Sequence, residues 1–376
     1  MKGHLRERSP GRWAIVLDVQ DITTGRRKRR WHSFSGTKRQ AQLECARLIA
    51  ELQNGIAIEP ERLTVAAFLD RWVEYIRPQV APKTFERYAS IVRANIKPAI
   101  GSVMLLKLQP ITISTAYSAA LARLAPRTVH HMHRVLSQAL KQAVRWRLLP
   151  RNPCDDCDPP KIERRDMKVW DIATITTALE LVRPWRIHMP VVLAALCGLR
   201  RGEIAALRWR HVDLDRAQLS VVESAEQTKA GVRYKAPKSG KGRTVALPAV
   251  VVTELRAHRL RQAQELLQLG VRLSNNTFVC AREDGEAQQP NSIGHAWDRF
   301  LASTELPRIR FHDLRHSHAT VMLKSNIHPK IVSERLGHSR VALTMDTYSH
   351  VIPGMQEEAA AAIDAAFGMT LDKQPR

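Results

Sequence analysis

The chain has 376 residues, 44% of them apolar, which excludes a disordered polypeptide and suits two or three domains better than one core. Its 59 Lys and Arg stand against 36 Asp and Glu, and the resulting charge of +23 goes far beyond what solubility needs. A field of that sign favours a polyanion, with nucleic acid ahead of an anionic membrane surface or a polyanionic regulator.

No basic amphipathic membrane helix is legible. Near the N-terminus the apolar stretch WAIVL is cut off by Asp18, and the longest uncharged apolar run, MPVVLAALCGL at 189–199, is too short to cross a bilayer. The expectation is a cytoplasmic protein. Its five cysteines, odd in number and scattered, fit reduced thiols better than a disulfide framework.

Residues 1–58 open with WAIVLDVQD and WHSFSG, two alternating stretches separated by TTGRRKRR. Strand, turn and strand are expected, followed by an amphipathic helix in KRQAQLECARLIAELQNG that offers Leu43, Ala46, Leu48 and Leu52 for packing. The unbroken run Arg26, Arg27, Lys28, Arg29, Arg30 reads as a phosphate-contacting edge, with a solvated hairpin tip or a localisation signal as the alternatives.

Residues 62–151 read as a four-helix module. In TVAAFLDRWVEYIRP, Val65, Phe68, Leu69, Trp72, Val73 and Ile76 fall on one stripe, and Thr64 is placed to cap the start. A second helix follows Pro82, a third covers about 110–124, and the longest runs from 127 to 148 through Val129, Met132, Leu136, Leu140 and Val144. Pro78, Pro98, Pro110 and Pro150 punctuate the ends.

The Pro- and Asp-rich stretch 152–165 reads as an exposed linker and domain boundary. It contains the pair Cys154 and Cys157, but no second ligand pair at zinc spacing follows. Residues 166–376 then form a larger helical domain, interrupted where QLSVVES, VRYKAPK and RTVALP suggest three short strands.

Four fragments of this last region carry candidate chemistry. In CGLRRGEIAALRW, a buried helix ends at Gly198, another begins near Gly202, and Arg200 lies in the turn, where its donors and free backbone N–H groups suit a phosphate. Glu203 can pair with it, and on this fragment alone a structural ion pair serves equally well. FHDLRHSHATVMLKS reads as a helix with His312 and Arg315 on one face, a base and a cation able to hold a proton and an anion together. Its histidines at helical spacing also allow metal ligation, although no HExxH arrangement is present. KSGKGRTVALP sets Lys238 at a Gly-rich hairpin turn, where a lysine is either solvated or able to reach into a site. LGHSRVALTMDTYSHV holds Tyr348 between polar residues; taken alone, it could be a core residue with a satisfied hydroxyl.

In this order, GLRRGEIAALRW, PKSGKGRTVALP, HDLRHSHAT and LGHSRVALTMDTYSHV resemble the active-site motifs of the tyrosine recombinase family, in particular phage-type and conjugative-element integrases. The likeness spans about 166–353; the helical module ending AVRWRLLPRNP resembles the family's core-binding domain, and the N-terminal segment, more weakly, its arm-site-binding domain. The implied fold is multi-domain and mainly α with small β elements: an N-terminal sheet plus helix, a helical SAM-like core-binding domain and an α+β catalytic domain.

The resemblance assigns Arg200 and Arg315 to the scissile phosphate, Lys238 to general acid and His312 to general base or proton shuttle. It assigns His338 to a phosphate hydrogen bond and Tyr348 to nucleophile, with Glu203 and Asp313 in support. It also implies a 3'-phosphotyrosyl link, a Holliday junction and four protomers on double-stranded core and arm sites, helped by a host bending protein and an excision directionality factor. Neither metal nor ATP is expected, since the phosphotyrosyl bond conserves the energy of the broken linkage. The implied location is the bacterial cytoplasm, at the nucleoid. The tail MQEEAAAAIDAAFGM resembles C-terminal segments that dock on a neighbouring subunit, with docking on its own domain as the alternative.

The assigned roles make sense from below. The in-line transition state gathers charge on the non-bridging phosphate oxygens, where two arginines and a histidine stabilise it selectively. A tyrosine of ordinary pKa about 10 needs cations and a base to yield its phenolate at neutral pH. A nicking-closing topoisomerase shares this chemistry without partner exchange, but the extra N-terminal DNA-binding segment argues against it. A catalytically dead DNA-binding regulator has no need for the intact six-residue set.

Overall fold

A computed structural model of the chain describes residues 3–20, 27–53, 63–163, 167–237, 240, 242–338, 340–348 and, near the end, 360, 361, 363–365 and 367. It divides into two compact units, Met1–Arg164 and Arg165–Arg376.

The first unit begins with an antiparallel sheet of three strands where two were expected: β1 (Gly3–Ser9), β2 (Arg12–Gln20) and β3 (Arg27–Ser35), in the order β1-β2-β3. β1 escapes a hydrophobicity reading because GHLRERS is mostly polar and exposed. The basic run does not form a hairpin tip. Arg27 to Arg30 belong to β3, register-paired with Gln20, Val19, Asp18 and Leu17, and Arg29 makes an exposed ion pair with Asp18; Arg26 lies outside the described residues.

Helix α1 (Lys38–Gln53) covers this sheet, and of the stripe expected Leu48 is buried there while Leu43 and Ala46 are not. Ala41, Cys45 and Leu48 are buried, the last two in one cluster with Ile15 and Leu17, whereas Leu43 is 66% exposed and Ala46 also faces solvent; the Leu52 side chain lies outside the described residues. The buried set follows an i, i+4, i+7 row in which alanine and cysteine let the helix approach the sheet closely.

The helical module follows its pattern. α2 (Val65–Ile76) is capped by the Thr64 hydroxyl, which accepts from the Ala67 N–H, and buries Val65, Phe68, Leu69, Trp72 and Ile76. Next come α3 (Pro82–Ile91), a π-helical stretch at Val92–Ile96, α4 (Lys97–Ile100), α5 (Pro110–Leu121) and α6 (Pro126–Arg145). Proline occupies the first turn of four of these helices, where its missing N–H costs nothing.

The start of the expected linker belongs to this module. Residues Pro153–Asp156 form a 3-10 turn, and Cys154 and Cys157 are buried in the same apolar cluster as Trp72, Tyr117 and Leu140. The Asn152 side chain accepts from the Cys154 N–H, a local bond that stabilises the turn. Aspartates on its outer side make the stretch read as solvent-exposed.

The second unit contains α7 (Ile172–Leu181), α8 (His188–Cys197), α9 (Arg201–Ala206), then β4 (Val212–Asp213), β5 (Gln218–Val221), β6 (Ser224–Thr228), β7 (Gly231–Lys235) and β8 (Arg243–Ala246). The three strands read from sequence, β5, β7 and β8, are joined by two more in a sheet ordered β4-β5-β8 and a separate β6-β7 hairpin. Helices α10 (Ala249–Gln268), α11 (Pro290–Ala302), α12 (Phe311–Lys324), α13 (Pro329–Leu336) and α14 (Val341–Tyr348) complete it.

Helix α8 is buried on nearly every side and anchors the main core with Trp297, Phe300 and Leu314. A smaller cluster of Ala319, Leu323, Val332, Leu336 and Tyr348 joins α12, α13 and α14. Among the described residues no helix is long and apolar enough to cross a membrane. Ile363 and Phe367 of the tail are helical and exposed.

Candidate active site

Two helix ends prepare the site. α8 terminates at Gly198, whose φ of 68° is the left-handed conformation that ends helices, and α13 terminates the same way at Gly337, φ 65°. Both ends present backbone carbonyls that no intrahelical N–H satisfies, at the negative pole of the helix.

Arginines take these carbonyls. Arg315, on α12 and 2% exposed, donates Nη1–H to the Gly198 carbonyl at 2.5 Å and Nη2–H to the Leu336 carbonyl at 2.6 Å. Arg200, at the start of α9, donates Nη2–H to the Gly337 carbonyl at 3.0 Å. Among the described residues no carboxylate pairs directly with Arg315. Its charge is positioned by carbonyl dipoles, an arrangement able to receive an anion. Burial, and then the neighbouring Arg200, lower its pKa to about 9, so it stays protonated at neutral pH.

Glu203 organises the second side. Its carboxylate accepts from the Arg200 backbone N–H at 2.9 Å and from Arg200 Nη1 at 2.8 Å, in the manner of a capping box. It also accepts both terminal nitrogens of Arg243 at 3.0 and 2.7 Å. Burial opposes the charge of Glu203, yet the hydrogen bonds and charge of Arg243, with Arg200 beside it, bring its pKa down to about 2.

Arg243 is not among the residues singled out from the sequence, although a signal is present there. In β8 it shares a face with the buried Val245, and a basic residue on the inward face of a strand calls for a buried partner. Its Nε–H reaches the Arg335 carbonyl at 2.8 Å. Arg243 thereby ties the start of β8 to Glu203 and to the C-terminal end of α13.

Tyr348 closes α14 and is fully buried, despite the polar residues that flank it in sequence. Burial raises its pKa to about 12, while Arg315 and Arg200 pull in the other direction. Its hydroxyl lies 2.6 Å from His316 Nδ1. The His316 ring in turn meets His312 edge to face, with centroids 5.0 Å apart. His316 enters the sequence reading only among histidines at helical spacing and without a role at the tyrosine; its i, i+4 relation to His312 on α12 is the available sign.

Of the expected residues, Arg200, Arg315, His312, His338 and Tyr348 come together here. His312 reaches the surface, and the protein packed around its inner side, then His316 and Arg315, lower its pKa. His338 holds Thr344 through Nδ1 at 2.8 Å, and burial followed by Arg315 and Arg200 lowers its pKa to about 4. Asp313 caps α12, accepting the Arg310 backbone N–H at 2.9 Å and pairing with the Arg310 guanidinium, so its support is to the helix start. Lys238 lies outside the described residues.

The carbonyl of Gly198 makes one position testable. A Cβ there would sit 2.7 Å from His318 Cδ2 and 2.8 Å from Leu336 Cδ2, on a backbone that side chains rarely adopt. Gly198→Ala is expected to cost about 3 kcal/mol from strain and overpacking, lowering the melting temperature and loosening Arg315. Thermal unfolding with a parallel rate measurement checks both.

The phage integrase family matches residues 167–354, half of the chain, and the family's N-terminal SAM-like domain matches residues 64–120. A tyrosine recombinase XerC-like protein of Caldanaerobacter subterraneus is 26% identical over 89% of this chain and 91% of its own length. The ICEBs1 integrase of Bacillus subtilis is 29% identical, over 64% of this chain and 66% of its own. Among solved structures, the Tn1549 transposon integrase in complex with transposon right end DNA aligns with TM-score 0.68 at 17% identity, covering 80% of this chain and 99% of that one. A lambda integrase tetramer bound to a Holliday junction aligns with TM-score 0.58 at 18% identity, covering 89% and 95%. A match across the whole arginine, histidine and tyrosine site, on a fold shared with integrases, leaves one conclusion: the chain belongs to the phage integrase family and is a tyrosine-type site-specific recombinase.

Proposed function

We propose that Tyr348 attacks the scissile phosphate of a double-stranded attachment site, leaving a 3'-phosphotyrosyl link and a free 5' hydroxyl, in the integration or excision of a mobile element. The observation that carries this reading is the buried Arg315, held by two carbonyls and without a direct carboxylate partner among the described residues, with Tyr348 and Arg200 close enough to shift its pKa. A guanidinium so placed is complementary to the charge that a phosphodiester gathers in its transition state. Arg200 and Arg315 clamp the non-bridging oxygens, His338 adds a hydrogen bond, and Lys238 protonates the leaving oxygen. Glu203 fixes Arg200, and Asp313 fixes the start of α12.

In this reading, attack by the hydroxyl of a partner strand reverses the first step and exchanges strands, through a Holliday junction assembled by four copies of the chain. Residues 1–58 bind arm sites, with Arg26, Arg27, Lys28, Arg29 and Arg30 on phosphates; residues 62–151, with the turn through Cys157 packed on them, bind core DNA, the rest of 152–165 links them to the next domain, and 166–376 catalyse. Neighbouring copies are joined by the tail that carries Ile363 and Phe367. A host bending protein and a directionality factor complete the assembly, which works at the nucleoid of a bacterial cytoplasm.

The test uses duplex DNA of candidate attachment sequence, nicked so that cleavage releases a short fragment and traps the intermediate. Proteolysis and mass spectrometry of the adduct should place the nucleotide on the peptide holding Tyr348. An adduct on another residue overturns the assignment.

A further inference from the structure

We infer that His316 is the group that takes the phenolic proton of Tyr348 as its oxygen attacks phosphorus, an inference that rests on Tyr348 being the nucleophile. Resemblance gives the base role to His312, but His316 is the residue in contact with the reacting atom, 2.6 Å from the tyrosine hydroxyl. That distance meets the geometric requirement for a general base before any chemistry begins. His312 packs edge to face on His316 and reaches the surface, which places it second in line, between His316 and solvent.

The surroundings supply the rest. Burial lowers the pKa of His316, so the ring is neutral at pH 7 and has one bare nitrogen. A hydroxyl facing Nδ1 donates its hydrogen there, leaving the ring hydrogen on Nε2. Among the described residues, the charged and titratable groups around the ring are Asp313, Arg315, Arg310 and His312 on α12 and its N-terminal cap, Tyr348 on α14, and His338 ahead of α14. Asp313 favours the imidazolium, and the two arginines oppose it. The proton is therefore drawn off as the tyrosine oxygen bonds to phosphorus, and the imidazolium, disfavoured by burial, either returns it to the phenolate or exchanges it with solvent past His312.

The step balances. The tyrosine oxygen forms its bond to phosphorus while the bond to the 5' oxygen breaks; the phenolic proton goes to His316 Nδ1, and the departing oxygen takes a proton from Lys238. In the reverse reaction His316 returns its proton to the leaving phenolate, so one residue serves both cleavage and rejoining.

Asparagine at position 316 tests this, because its Oδ1 mimics imidazole Nδ1 as a hydrogen-bond acceptor but cannot carry a proton at neutral pH. With the full-length chain on the trapping duplex, His316→Asn should bind DNA within about twofold of the unchanged protein and form adduct roughly 100- to 10,000-fold more slowly. Added imidazole should restore the rate of His316→Ala. The limb of the pH–rate profile that reports a neutral imidazole should vanish in His316→Asn.

A DNA bearing sulfur at the 5' bridging position separates the two proton transfers: the thiolate leaves without an acid, so the defect of Lys238→Ala should shrink and that of His316→Asn persist. If His316→Asn forms adduct at the unchanged rate, or keeps the pH limb, the assignment to His316 falls while the nucleophile stands. If the unchanged chain forms adduct on a residue other than Tyr348, both readings fall together.

Discussion

Tyr348→Phe should form no covalent DNA adduct on a denaturing gel, while binding the same duplex as tightly as the unchanged chain. The expectation is sharp because so little else changes. Tyr348 packs among Ala319, Leu323, Val332 and Leu336, and a phenylalanine ring fills that space. Only the hydroxyl is lost, and with it one buried hydrogen bond to His316, worth on the order of 1 kcal/mol. The arginines keep their carbonyl acceptors, so the phosphate site stays formed and affinity is preserved. Loss of binding in this variant would mean that the tyrosine is structural. Adduct from the variant would place the nucleophile elsewhere.

Much of this site is legible in the amino-acid sequence, and the legible parts share a cause. The end of α8 at Gly198, the start of α9 beside Arg200 and the helix from Phe311 all follow from local signals: a left-handed glycine, a capping carboxylate and apolar spacing. Long-range partnerships do not leave such signals. Arg243 and Glu203 lie forty positions apart, and the pair is formed only because β8 is laid against α9 and the end of α13. Tyr348 shows the same limit from the other side: its fragment allows a core residue with a satisfied hydroxyl, but not which core, and the partners come from α12 and α13.

Charge and polarity mislead in three places for related reasons. Arg27 to Arg30 read as a turn because four basic residues in a row seldom suit a strand interior; antiparallel pairing with β2 supplies the missing hydrogen bonds. GHLRERS reads as nothing because a short, solvated strand has no apolar face to betray it. The aspartates around Cys154 and Cys157 suggest a linker, whereas the two thiols turn inward and the carboxylates outward, which averages to a polar stretch.

The arginine pair explains why a buried site can stay both charged and folded. An isolated buried cation is costly, and a carboxylate set against each guanidinium would neutralise the charge that the proposed mechanism sets against the phosphate. The structure separates the two needs. Glu203 takes both terminal nitrogens of Arg243 and one of Arg200, while Arg315 relies on carbonyls at two helix ends.

Glu203→Gln removes the carboxylate shared by Arg200 and Arg243 and should destabilise the catalytic unit by about 3–5 kcal/mol, the cost of leaving buried guanidiniums unpaired. Glutamine matches the shape but offers one oxygen where two guanidiniums and a backbone N–H now converge, and its amide hydrogens would face donors. Thermal unfolding should register a fall of roughly 10 °C. The pH dependence gives a second check. Because the folded pKa of about 2 lies below the ordinary 4.5, the stabilisation from Glu203 is complete above about pH 4.5 and is lost as pH falls towards 2. The stability gap between the unchanged chain and the variant should therefore be widest near neutrality and narrow on acidification. A gap that stays constant from pH 7 to pH 3 would show that the loss comes from packing and that the ion pairs contribute little.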